Sequence, residues 1–235
     1  MRIKILYEDE DILVVHKPAG LAVQTAHVGQ QDVESELKNY LISGATKASP
    51  YVGIIHRLDQ PVEGLLVFAK TRAAAADLNR QLQHNAFCKE YLAVVCGKPA
   101  DTERELMNYL LKDKGRALVF EQKDKLPAEA KQAVLHYQME RERETAAGMI
   151  SLLRIKLETG RFHQIRAQLS HAGFPILGDS KYGSEISGQM SGTLGIRHTA
   201  LCACRLRFYH PASGQEMEYT VHPDNPAFSF FDTDK

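Results

Sequence analysis

The 235 residues carry 29 Lys and Arg against 29 Asp and Glu, so no global basic signature of the kind seen in many nucleic-acid binders is present. With 44% hydrophobic and 25% charged residues, the composition is that of an ordinary globular chain, which excludes disorder as the default state. No apolar run approaches the roughly 20 residues of a membrane span, and MRIKILYEDEDILVVHKPAG lacks a long apolar segment before a small-residue cleavage site, so neither a membrane partner nor secretion is indicated. Four cysteines (Cys88, Cys96, Cys202, Cys204) lack CxxC spacing and read as reduced core residues of a cytoplasmic protein, without a zinc site or disulfide framework.

Taken in chain order, Ile3 to Tyr7 and Ile12 to His16 are short apolar runs around an acidic turn, Glu8 to Asp11, and predict a hairpin. Lys17-Pro18-Ala19-Gly20 breaks the pattern. Val33, Leu37, Tyr40 and Leu41 follow helical spacing, with Asp32 as N-cap and Ser43-Gly44 as the end. Gly64 to Lys70 reads as a buried strand feeding a helix capped by Thr71 and carrying Leu78 and Leu82; Tyr91 to Val95 reads as the next strand. Residues 101–131 are charge-dense and punctuated by Gly115 and Pro127, and predict a variable surface excursion with a hairpin and a solvated face. Strands are expected at Val134 to Met139 and Ile150 to Leu157, a short helix at Gln164 to Ala172 with Gly173 as its C′ residue, and final strands at Leu201 to Phe208 and Met217 to Val221. No internal repeat or low-complexity linker interrupts the chain, so a single domain spanning residues 1–235 is expected. The fold class is α+β, with a largely antiparallel mixed sheet and short flanking helices.

Two segments carry groups suited to chemistry. Ile54-Ile55-His56-Arg57-Leu58-Asp59-Gln60-Pro61-Val62-Glu63-Gly64 sets a carboxylate among basic neighbours, on a loop before an apolar strand. For an isolated HRLD tetrapeptide the preferred explanation is structural, with Asp59 pairing with Arg57 or capping a turn. In Glu158-Thr159-Gly160-Arg161-Phe162-His163-Gln164-Ile165-Arg166, Ile165 and Leu169 share one helix face, and Arg166 lies beside that apolar stripe, so it needs an anionic partner. From Arg154 to Arg207, eight basic residues (Arg154, Lys156, Arg161, Arg166, Lys181, Arg197, Arg205, Arg207) face only Glu158, Asp179 and Glu185. A local basic surface could therefore bind phosphates on a neutral molecule.

HRLD with a glycine five residues on, followed by LLVFAKT, TGRFHQIR and GFPILGDSKYG, resembles the RluA-type RNA pseudouridine synthases; YEDEDILVVHKPAGL and FCKEYLAVVCG look like two further blocks of that family. The blocks are in family order and cover nearly the whole chain. The resemblance implies that Asp59 is the catalytic carboxylate that attacks the nucleoside, that Tyr91 packs on the uracil, that Arg166 pairs with the aspartate, and that Ile165 flanks the pyrimidine. It further implies that Arg57 positions RNA and His56 supports the loop in the same block. Arg161, Lys181, Arg197 and Arg205 are the candidates for phosphate contact, each explained at least as well as a solvated surface charge. The implied substrate is a specific uridine in a tRNA or rRNA stem-loop, with no cofactor, no metal and no obligate protein partner.

The reaction suits these residue types: a carboxylate is a competent nucleophile or base, a phenol supplies a stacking face and a proton-transferring hydroxyl, and no redox step requires a cofactor. This sequence departs from the family pattern at Val62-Glu63, where Thr-Ser is common, at Phe162, where Thr is common, and at His16, where Asn is common. It opens directly at the first block, so substrate selection without an S4-type RNA-binding domain is expected. Two rival readings are an inactive RNA-binding module of the same fold, disfavoured by the complete Asp59, Tyr91, Arg166 set, and a metal-dependent hydrolase using His56, His163, His171 or His198, disfavoured by the lack of HExxH or another compact ligand motif.

Overall fold

In the computed structural model the described residues are 2–26, 29–43, 50–84, 86–121 and 126–232. Contacts divide the chain into two compact units, the first Met1–Lys89 with Cys202–Asp224 and the second Glu90–Leu201 with Asn225–Lys235.

The first unit is built on β1 (Lys4–Glu8), β2 (Ile12–Lys17), β3 (Gly53–Ile54), β4 (Glu63–Ala69), β10 (Leu201–Tyr209, from Cys202 onward) and β11 (Glu216–Thr220), with helices α1 (Val33–Ser43) and α2 (Arg72–Gln83). β2 pairs antiparallel with β1 on one side and β4 on the other, and all six of its residues are buried, the apolar Ile12 to Val15 together with His16 and Lys17. The acidic turn before it is held by Asp9, whose Oδ1 accepts the backbone N–H of Asp11 and of Ile12, each at 2.8 Å. β4 meets β10 in parallel and β11 returns antiparallel along β10, giving the mixed character expected from the sequence.

Both helix starts are set by capping chemistry. Asp32 Oδ1 accepts the Ser35 N–H at 2.7 Å before α1, and Thr71 Oγ1 accepts that of Ala74 at 3.1 Å before α2. The end expected for α1 at Gly44 lies outside the described residues. Ala74, Ala75 and Leu78 of α2 join Val14, Leu65, Val67 and Phe208 in one apolar core, where burying each large side chain contributes about 1.5–3 kcal/mol.

The second unit runs β5 (Cys88–Cys96, from Glu90 onward), β9 (Gly148–Leu157), β8 (Lys131–Thr145), β6 (Glu103–Asp113) and β7 (Arg116–Phe120), with every neighbouring pair antiparallel. The charge-dense stretch near 101–131 does contain a hairpin, but β6 also pairs with β8 from Glu103 to Leu110. Leu106 and Leu110 are buried while their neighbours face outward, so the strand is amphipathic, and its polar face dominated the sequence. Helix α3 (Gln164–His171) ends at Ala172, and Gly173 takes a positive φ of 94°. Its N–H returns to the Ser170 carbonyl, and that of Phe174 to Leu169. Helix α4 (Glu185–Thr193) and a 3-10 segment at Pro226–Phe231 complete the unit and were not foreseen in the sequence.

Candidate active site

Asp59 sits half-buried on the loop between β3 and β4, in the first unit. Its carbonyl accepts the Val62 N–H at 3.1 Å, closing a turn around Gln60-Pro61. Gly64, five residues on, has φ +129°, and a Cβ there would stand 2.4 Å from the backbone N and 2.6 Å from the O of Ala203. Glycine is therefore what lets the strand leaving the Asp59 loop lie against β10.

The brace for this loop is Lys17, a residue the sequence reading passed over as part of a breaker. Its fully buried side chain donates to the carbonyls of Leu21 at 2.7 Å, Pro18 at 3.0 Å and Gln60 at 3.2 Å, tying the KPAG turn to the residue after Asp59. Burial pushes its pKa down to about 7, against the opposing pull of the Asp59 and Glu63 carboxylates.

His56 turns its Nε2 to the Val67 N–H at 3.4 Å and meets Phe87 edge to face. Desolvation of the ring and nearby Lys89 push its pKa down to about 3, so it is a neutral packing group that fixes the loop against β4. Arg57 is exposed, with Gln24 at 3.5 Å from its guanidinium.

Tyr91, Ile165 and Arg166 belong to the second unit. Tyr91 is buried on β5 opposite Ile155, and Ile165 is buried in the first turn of α3. Arg166 is buried as well, deeper than its place beside the apolar stripe suggested, and the acid that meets it within its own unit is Asp179. Arg166 Nε lies 2.7 Å from Asp179 Oδ2 and its Nη2 lies 2.8 Å from Oδ1. Asp179 also accepts the backbone N–H groups of Lys181 at 2.9 Å and Tyr182 at 3.1 Å. Tyr182 extends this network: its ring lies 5.2 Å from the Arg166 guanidinium carbon. Its hydroxyl accepts the Ala117 N–H at 2.6 Å and is hydrogen-bonded to His163 Nδ1, 2.8 Å away. His163 caps α3 in the left-handed region, with φ 54°. Asp179, Tyr182 and Lys17 are the supporting residues the sequence reading did not single out.

The basic stretch from Arg154 to Arg207 is less of a surplus than the linear count suggested, because strand pairing supplies acids from outside that window. Arg154 meets Glu90 and Glu140, Lys156 meets Glu90, Arg205 meets Glu218, and Arg207 meets Glu216. Arg161 and Lys181 are held differently: Arg161 Nε donates to the Gln132 carbonyl at 2.8 Å and Lys181 Nζ to that of Gly115 at 3.0 Å. Beside them, Phe162 is exposed, stacks on His163 with centroids 3.7 Å apart, and has Lys112 Nζ 4.7 Å from its centroid. Arg116 covers Tyr182 at 5.2 Å. Cations interleaved with aromatic rings are the composition that suits phosphate and base contacts.

Among the described residues no helix is long and apolar enough to cross a membrane.

The fold is that of pseudouridine synthases. The chain superimposes on a structure titled Human RNA Pseudouridylate Synthase Domain Containing 1 with a TM-score of 0.76, at 20% identity, covering 94% of this chain and 83% of that one. In sequence, the pattern described as RNA pseudouridylate synthase matches residues 11–171, a span that contains Asp59, Tyr91 and Arg166. The chain is 38% identical over 217 residues to a Ribosomal large subunit pseudouridine synthase D of Nitrosomonas europaea, and 39% identical over 229 residues to one of Pseudomonas aeruginosa. These alignments cover 91% and 93% of this chain, which spans 60% and 68% of the respective relatives' lengths. The chain belongs to the RNA pseudouridylate synthase family.

Proposed function

We propose that this chain isomerises a specific uridine to pseudouridine in structured RNA, with ribosomal RNA as the substrate class indicated by the relatives' names and a tRNA stem-loop as the other class. The observation that carries this reading is a carboxylate, Asp59, on a loop braced by Lys17 and Gly64, inside the span matched by the family pattern. Asp59 acts as the nucleophile that frees uracil from its original bond to ribose. Arg166 is assigned to pair with the aspartate, as the resemblance implies, and its own guanidinium is oriented by Asp179. Tyr91 offers its ring face to the uracil, with Ile165 as an apolar flank. The base then rotates and rejoins the sugar through carbon 5. Nothing is oxidised or reduced, so the reaction calls for neither a cofactor nor a metal.

A uracil inside a stem is out of reach of such a site and must be extruded, at a cost of a few kcal/mol that is smallest in loops. Arg57, Arg161 and Lys181 are assigned to phosphate contacts that offset this cost, whereas His56 contributes by holding the Asp59 loop. The reading places the protein in the cytoplasm, with no obligate protein partner. The test is pseudouridine mapping of rRNA and tRNA from cells with and without the protein, paired with the purified chain acting on the same RNA. Loss of a site in the first and its restoration in the second support the proposal, and failure of the purified chain on every RNA offered counts against it.

A further inference from the structure

Three side chains of the first unit that the proposed reaction does not use converge at the ends of β2 and β4. A ring nitrogen of His16, a carboxylate oxygen of Glu63 and one of Asp224 lie within 4.8 Å of one another. His16 and Glu63 are 7% and 1% exposed, whereas the Asp224 side chain opens to solvent. Glu63 Oε2 accepts the Asp224 N–H at 3.1 Å, and His16 Nδ1 stands 3.7 Å from Asp224 Oδ2, longer than a hydrogen bond. The other ring nitrogen, Nε2, is buried with no hydrogen-bond partner among the described residues. One imidazole nitrogen and two carboxylate oxygens thus converge on one place, on a buried ring that has a nitrogen unsatisfied among the described residues.

We propose that His16, Glu63 and Asp224 form a binding site for a divalent first-row cation, Zn²⁺ or Mn²⁺. One imidazole nitrogen and two carboxylates are the borderline donor set such cations select. Donor atoms around zinc sit about 2.0–2.2 Å from the ion, so the trio must draw closer together, and the exposed Asp224 side chain is the member that can move in. His16 and Glu63 are also two of the positions at which this chain departs from the motifs it resembles.

The position suggests what the cation does. His16 immediately precedes Lys17, and Glu63 follows Asp59 by four residues, so a bound ion cross-links the two strand ends that carry the lysine brace and the Asp59 loop. The role is structural and does not depend on the reaction proposed above.

A second group, Glu105, His136 and Glu158, also lies within metal-binding distance but is solvent-facing, with His136 already 2.7 Å from Glu158. The test therefore uses the full chain carrying His136→Gln, stripped with chelator and titrated separately with Zn²⁺ and Mn²⁺ by calorimetry and thermal melting. The expected result is one saturable site per chain with a rise in Tm. Either His16→Asn or Asp224→Ala should weaken binding by at least about tenfold, since losing even a group that only hydrogen-bonds a metal ligand costs about 10–100-fold, and should remove the rise in Tm. Asp224→Ala changes an exposed side chain and decides the question if His16→Asn fails to fold. Absence of saturable binding by both cations, or unchanged affinity in either folded variant, overturns the proposal.

Discussion

Arg166 and Asp179 grip each other at two points, Nε to Oδ2 and Nη2 to Oδ1, with side chains 4% and 1% exposed. Burial by itself raises the Asp179 pKa. The hydrogen bond and charge of Arg166, with the Tyr182 and Lys181 N–H groups, outweigh it and hold the carboxyl below the usual range. A depressed carboxyl stabilises the fold above its unfolded pKa of about 3.9, and that stability is lost as pH falls through the folded value. Asp179→Asn should therefore cost about 3–5 kcal/mol in urea unfolding at neutral pH, the range for breaking a buried pair from one side. The gap to the parent should narrow in acid. A variant within about 1 kcal/mol of the parent at pH 7 would show that the pair is not a stabilising element.

Asp59→Asn is nearly isosteric but removes the nucleophile. The half-buried loop keeps its Val62 N–H to Asp59 carbonyl bond and its Lys17 brace, neither of which involves the Asp59 side chain. Pseudouridine formation should fall below detection while the Tm stays within a few degrees and RNA affinity by filter binding is retained. A pure, active Asn variant sinks the assignment of Asp59.

The elements legible in sequence were those whose signals are local. Thr71, Asp32 and Gly173 announce helix ends because capping acts within one turn, and β2 announces its burial through the apolar run Ile12 to Val15. Helix α4 was missed because EISGQMSGT presents little apolar periodicity and two glycines. Its readable sign was the reciprocal Ser184 and Ser187 cap. For the candidate site, HRLD and QIR were legible as motifs, but their supports were not. Asp179 lies 13 residues beyond Arg166, and nothing in the spacing ties the two together. The reach of Lys17 to Gln60 spans 43 residues. The basic stretch was overcounted for the same reason: Glu90, Glu216 and Glu218 reach it only through strand register.

Lys17 offers a pH signature of its own. The unfolded lysine holds its proton to about 10.4, whereas burial makes the folded one release it near 7. Between those values the unfolded state binds more protons, so this group makes stability rise as pH increases from about 7 toward 10. Lys17→Met removes the titration along with the donor for three carbonyls. Urea unfolding across pH 7 to 9.5 should show a steeper rise for the parent than for the variant, and parallel profiles would rule out a proton released on folding. The Met variant should also be less stable at the alkaline end, where the parent's neutral amine still has two N–H groups to donate among the Pro18, Leu21 and Gln60 carbonyls.

Tyr91 separates packing from chemistry. Its ring is 6% exposed on β5, opposite Ile155 in the ladder with β9, so Tyr91→Phe preserves the apolar body and removes only the hydroxyl. If the ring merely stacks on the uracil, the Phe variant keeps substantial turnover, because the π face survives. If the hydroxyl takes part in proton transfer at carbon 5, single-turnover rates fall by about 10²–10⁴-fold, the usual range for removing a general acid or base. The second outcome is expected. Isomerisation must strip a proton from carbon 5 after the new carbon–carbon bond has formed, and the Tyr91 hydroxyl is the group expected to take part in that transfer. Single-turnover conditions matter because product release can mask a slower chemical step in kcat. RNA affinity should be unchanged, which separates lost chemistry from lost binding, and a Phe variant with a near-normal single-turnover rate leaves Tyr91 as a stacking platform alone.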